Sequence, residues 1–131
     1  LDCLLALANQ NTSYDFKEII VELERLLDLP NLPKEFQLEV RYKLAFILSK
    51  LDETSLANKV ILSIVDDFID PDSRIRNFSS IESYWIARSL FLLCDHLNAD
   101  NQFEESKKIY RMIIAYNLPG FQLAKQLLQE L

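Results

Sequence analysis

The chain has 131 residues and a net charge of −6, with half of its residues hydrophobic and 26% charged, a balance that belongs to a globular domain rather than a disordered one. One glycine and four prolines argue against an all-β fold, and they rule out glycine-rich phosphate loops such as the P-loop and the dinucleotide fingerprint. The negative charge and the lack of a lysine/arginine stripe argue against nucleic acid as a partner.

In chain order, residues 1–8 are an apolar helical segment carrying Leu4, Leu5 and Leu7, followed by a polar break in which Ser13 or Asp15 can cap what comes next. Residues 15–29 give an amphipathic helix with Phe16, Ile19, Leu23 and Leu26 inward and Lys17, Glu22 and Arg25 outward. Pro30 and Pro33 end it, and Pro33 suits the first turn of the following helix. That helix, about 34–51, places Phe36, Val40, Leu44, Ile47 and Leu48 on one side. Residues 52–55 form a tight turn with an N-cap candidate, and helix 55–69 follows with Leu56, Val60, Ile61, Ile64 and Phe68 facing the core. Its acidic end, Asp66, Asp67 and Asp70, opposes the helix dipole, and Arg74 and Arg76 in the connector 72–78 are placed to neutralise it. A long aromatic-rich helix, 79–98, is separated by a short polar break from helix 102–117, in which Phe103, Ser106, Tyr110 and Ile113 share a face. Pro119-Gly120 makes a turn into a last helix, 121–131. The expectation is an all-α chain of about seven helices.

The same pattern recurs at three hairpin turns. Leu23 and Leu26, Ile61 and Ile64, and Tyr110 and Ile113 follow their turns at matching offsets, and Pro30, Pro71 and Pro119 trail the second helices. Leu44-Ala45, Leu48, Ala57, Ile61 and Ile64 make one unit; Leu93-Cys94, Leu97, Phe103, Ser106, Tyr110 and Ile113 make another. On these residues the chain resembles the tetratricopeptide repeat family. The spacing departs from that family: Ile19, Ala57 and Ser106 lie 38 and 49 residues apart, against a period of about 34, and the turns lack glycine. The resemblance implies an α-solenoid of antiparallel hairpins at about 1–30, 34–70 and 79–118, closed by a capping helix at 121–131. It further implies a scaffold or adaptor that binds another protein or a peptide. Position by position, its concave groove falls on Glu39, Tyr42, Phe46, Ser49 and Lys50, and then on Arg88, Phe91, Asp95 and Asn98. The family's clamp for peptide carboxyl termini uses lysine and asparagine where this chain has Tyr42, Phe46, Phe91 and Asp95, so no such clamp is expected. The groove is expected to be aromatic, with Lys50 and Arg88 at its margins.

Other chemistry is sparse. His96 is the single histidine and stands two residues from Cys94, so the two point about 200° apart on a helix and cannot share a metal. His96 reads as a solvated helix-end residue with no triad organised around it. Asp66, Asp67, Asp70 and Asp72 lack the alternation and the glycine bend of a calcium loop. Cys3 and Cys94 both read as buried reduced thiols. Glu104 and Lys108 are ordinary helix support, and two sequons, Asn11-Thr12-Ser13 and Asn77-Phe78-Ser79, matter only in a secretory compartment. Phe78, Tyr84, Trp85 and Phe91 read as packing rather than as a ligand box. No cofactor, no enzymatic activity and no direct membrane insertion are expected. The alternative reading is a structural domain that self-associates through 79–98 or 121–131. The start at Leu1 reads as a piece of a longer protein, cytoplasmic, or periplasmic or otherwise secreted if a targeting segment was removed.

Overall fold

With a single glycine in the chain, most turns between the described helices have to reverse direction with a side chain in place. Asparagine and aspartate do it, being the non-glycine residues that best tolerate the left-handed region. In the computed structural model, which describes residues 16–69 and 78–131, positive φ occurs at Asn31, Asp52, Asn101 and Asn117, besides Gly120. After three helices these residues build one cap. Asp52 N–H bonds Ser49 O and Glu53 N–H bonds Leu48 O; Asn101 and Gln102 bond Asn98 O and Leu97 O; Asn117 and Leu118 bond Ile114 O and Ile113 O. This paired pattern is the Schellman motif, and it satisfies carbonyls that the helix itself leaves unbonded.

The caps delimit six helices: α1 Phe16–Leu27, α2 Lys34–Lys50, α3 Thr54–Phe68, α4 Ser80–Ala99, α5 Phe103–Ala115 and α6 Phe121–Glu130. No strand occurs among the described residues. The expected helix 1–8, with Cys3, and the connector carrying Asp70, Asp72, Arg74 and Arg76 lie outside them. Pro33 takes the N-cap position of α2 rather than its first turn. The expected cap of α3 is not formed by a side chain either: Glu53 stands at its N-cap without a side-chain bond. At the start of α4 the Ser79 hydroxyl accepts from Glu82 N–H, and Glu82 Oε1 accepts from Ser79 N–H, closing a capping box. Ser79 Oγ also donates to Glu35 Oε1 at 3.0 Å, which ties the head of α4 to the first turn of α2.

Helices that follow one another in the chain pack together from α1 to α6, and α2 additionally packs on α4. α2 therefore touches α1, α3 and α4, and it is buried around most of its girth, from Leu38 through Leu48. Close approach is permitted by small side chains: Ala45, Ala57, Ala87, Ser89, Ser106 and Ala124 are all fully or nearly fully buried. Around them sit Ile47, Ile61, Ile64, Ile86, Leu90, Leu93 and Ile113. At the end of α3, Asp67 is met from α2. Arg41 reaches Asp67 at 2.8 Å, donates to Ser63 O at 3.1 Å, and lies over the Phe68 ring at 5.3 Å.

Three expected core residues are corrected. Leu56 is 46% exposed, because the inward stripe of α3 runs through Ala57, Ile61, Ile64 and Phe68 and Leu56 sits 100° round the helix from Ala57. Phe36 is 51% exposed because burial on α2 begins two residues later, at Leu38. Phe103 lies on the stripe of α5 but at its first residue, and it is exposed there.

Candidate functional site

Because α2 packs directly on α4, aromatic residues on the two helices meet across the junction. The Tyr42 and Phe46 rings, one turn apart on α2, lie 6.2 Å apart, and Tyr42 meets Trp85 of α4 at 5.6 Å. Tyr84 packs edge-on to Trp85 at 4.9 Å and remains 43% exposed. Four aromatic side chains thus form one patch that is buried at Tyr42 and open at Tyr84.

Two cations, Arg88 and Lys50, sit on this patch without a carboxylate partner among the described residues. The Arg88 guanidinium lies 4.9 Å from the Tyr42 ring and 5.4 Å from the Tyr84 ring. Its Nη1 donates to Tyr84 Oη at 2.6 Å and its Nη2 to Tyr42 Oη at 3.1 Å. Burial pulls the Arg88 pKa down, but the hydrogen bonds to the two phenols outweigh it and the net shift is upward. Lys50 sits 5.0 Å over the Phe46 ring. Among the described residues no ion pair forms to either cation, whereas Glu39 is neutralised by Lys43 at 2.6 Å, which also lies 5.6 Å over Trp85.

The nine residues expected to line a groove therefore divide. Tyr42, Phe46, Lys50 and Arg88 come together here, with Glu39 alongside through Lys43. Phe91 and Asn98 turn to the other side of α4. Phe91 packs on Tyr110 of α5 at 6.4 Å and against Gly120, and Asn98 donates to Tyr110 Oη at 3.1 Å. Asp95 is exposed on α4, with its carboxyl pKa raised by burial against a lowering effect of His96. The sequence carried a signal for Tyr84–Arg88, four residues apart on one helix. For Tyr42–Arg88, 46 residues apart, periodicity carried no signal and only the resemblance placed both in one groove.

Ser49 goes to His96, and this corrects the expectation of a solvated histidine with nothing organised around it. His96 is half-buried. Its Nε2 lies 2.9 Å from Ser49 Oγ of α2, and its Nδ1 lies 2.7 Å from Asn58 Oδ1 of α3. The order hydroxyl, imidazole, amide is that of a hydrolytic triad, but the hydroxyl is not presented to substrate. Ser49 Oγ bonds Ala45 O of its own helix at 2.9 Å, and Ser49 does not line the adjoining cavity of about 440 Å³, which is walled by Thr54, Ser55, Asn58, His96, Asp100 and Gln102. The imidazole instead ties three helices together.

Burial lowers the His96 pKa, and the negative charge of Asp95 only partly restores it. A base with a depressed folded pKa is neutral in the folded state while the unfolded chain already binds its proton. Stability is therefore expected to fall as pH drops from about 6.5 toward the folded value. Asp95 has the opposite sign, from about pH 3.9 upward to its own raised value. Urea titrations between about pH 7.5 and 5.5 should show the loss in the wild type and a flatter profile in His96→Gln. Equal slopes in the two proteins would remove His96 as the cause.

A second, more apolar groove of about 460 Å³ opens between α3 and α5, lined by Val65, Asp66, Ile69, Lys108, Arg111, Met112, Ala115 and Tyr116. Cys94 is fully buried and free, its thiol pKa pushed up to about 12 chiefly by burial, so it is inert at neutral pH. Among the described residues no group of three or more histidine, cysteine, aspartate or glutamate side chains can hold a metal ion, and no helix is long and apolar enough to cross a membrane. No protein-family model, no curated protein and no solved structure matches the chain.

Proposed function

We propose that this chain is a tetratricopeptide-like helical repeat module, a non-enzymatic scaffold or adaptor that binds a peptide or a partner's helix along the α2/α4 face. α2/α3 and α4/α5 are its two complete hairpins, α1 is the second helix of an incomplete one, and α6 is the cap. Among the described residues, the closest packing between chain neighbours, plus α2 on α4, supports a stack of hairpins in which first helices line one side. The observation that carries the binding reading is the aromatic patch Tyr42, Phe46, Tyr84 and Trp85. It is partly open to solvent and holds two ring-seated cations, Lys50 and Arg88, that no carboxylate among the described residues neutralises. Large rigid aromatics and an arginine are the side chains that dominate recognition surfaces.

Selection of short random peptides on the immobilised chain tests this. Retained peptides should lose binding to Tyr84→Asp and to Lys50→Glu, while Leu62→Asp, exposed on α3, leaves binding unchanged. All three variants should keep the wild-type circular dichroism and melting curve. Peptides insensitive to Tyr84 and Lys50 would place the binding face elsewhere.

Self-association has one observation on its side: Leu123 of α6 is 50% exposed. Leu127 and Leu128 are packed against the core, so Leu123 is the residue to substitute. A dimer by light scattering that Leu123→Asp converts to monomer would favour this second reading.

A further inference from the structure

We infer that Arg88 is an anchor for a carboxylate on the bound segment, so that the α2/α4 face takes a peptide carrying an acidic side chain beside an apolar or aromatic one. The inference rests on the peptide-binding reading above and names the chemistry of the ligand. Three observations carry it.

First, Arg88 is held in place. A tyrosine ring from α2 and another from α4 lie within 5.4 Å of its guanidinium carbon, and each phenol oxygen takes one hydrogen bond. A long side chain of this kind normally loses much rotamer freedom on binding, and here most of that ordering is complete beforehand. Second, its charge is unspent. Phenols are neutral acceptors, no carboxylate pairs with Arg88 among the described residues, and of its five N–H donors two are engaged by these bonds. The rest form a planar fork suited to a carboxylate. Third, the cations Arg88 and Lys50 of this face are not matched by nearby acids among the described residues. Lys50 is likewise seated on an aromatic ring without an ion pair, and the one acid on α2 nearby, Glu39, is neutralised by Lys43. Asp95, seven residues along α4 from Arg88, adds negative charge two turns away. In a chain of net charge −6, an uncompensated cationic and aromatic patch stands out against its background and steers acidic segments toward it. Tyr84 and Phe46 then offer apolar surface to the residue next to the acid.

The experiment uses random-peptide selection on the wild-type chain and on Arg88→Gln in parallel. Wild-type selections should be enriched in aspartate or glutamate adjacent to an aromatic or aliphatic residue, and selections on Arg88→Gln should lose that enrichment. For the best peptide, Arg88→Gln should weaken binding about tenfold or more, and Arg88→Lys should not restore it. Glutamate-to-glutamine in the peptide should cost the same factor on wild type and nothing further on Arg88→Gln, a comparison that leaves the protein untouched. Peptides that bind through Tyr84 but show no acidic preference, or that lose equally on both proteins, overturn the carboxylate anchor and leave the groove standing. Failure of wild type to retain any peptide overturns both.

Discussion

Leu90→Ala is expected to lower the free energy of unfolding by about 3 kcal/mol or more, with one cooperative transition retained. Leu90 has no exposed surface and lies on α4, the helix that touches α2, α3 and α5. Truncation removes the transfer free energy of the side chain and leaves a void. The close-packed neighbours relax only in part, so much of that void persists. Leu62→Ala, the same chemical change at an exposed site on α3, should shift stability by less than about 0.5 kcal/mol. Urea denaturation with matched slopes measures both. A loss under about 1 kcal/mol for Leu90→Ala would mean that the hairpin junction repacks freely. Two separated transitions would mean that α1–α3 and α4–α6 unfold as independent units.

Gly120→Val is expected to destabilise by about 3 kcal/mol, from two separable causes. Gly120 is the one glycine of the chain and sits at φ +87°, a conformation that a β-branched residue adopts only under strain. A Cβ there would also stand 2.9 Å from the edge of the Phe91 ring, closer than carbon atoms pack. Phe91→Ala opens that space and leaves the dihedral unchanged. In a double-mutant cycle the penalty of Gly120→Val should therefore shrink by about 1 kcal/mol in the Phe91→Ala background without vanishing. Full additivity would show that the ring yields and that backbone strain alone sets the cost. The same contact explains why Phe91 does not belong to the aromatic face: it is the residue on which the turn into α6 is built.

Local order was written in the chain. The three- and four-residue recurrence of apolar side chains, interrupted by proline and by short polar breaks, places the described helices within about two residues of their observed ends. The turns were legible too, though not where glycine is usually sought. Asp52, Asn101 and Asn117 mark the left-handed cap positions, and their residue type is the signal. Periodicity also identified the stripe Ala57, Ile61, Ile64 and Phe68, but it could not separate Leu56 from it, since neighbouring apolar residues on a helix differ only by 100° of azimuth.

Tertiary structure decided the contacts that join residues 26 to 47 positions apart. His96 finds Ser49 and Asn58, Arg88 finds Tyr42, and Arg41 of α2 meets Asp67 of α3. A helical repeat says which face of each helix is apolar, because that depends on neighbours three and four residues away. How α2 slides and turns against α3 and α4 depends on the interlocking of small and large side chains at Ala45, Ala57, Ala87 and Leu90, a property of three helices at once. By itself, then, the sequence determined the six described amphipathic helices, because each depends on neighbours three and four residues away, and only the packing of α2 on α4 assembled the aromatic face with Lys43, Lys50 and Arg88 seated on its rings.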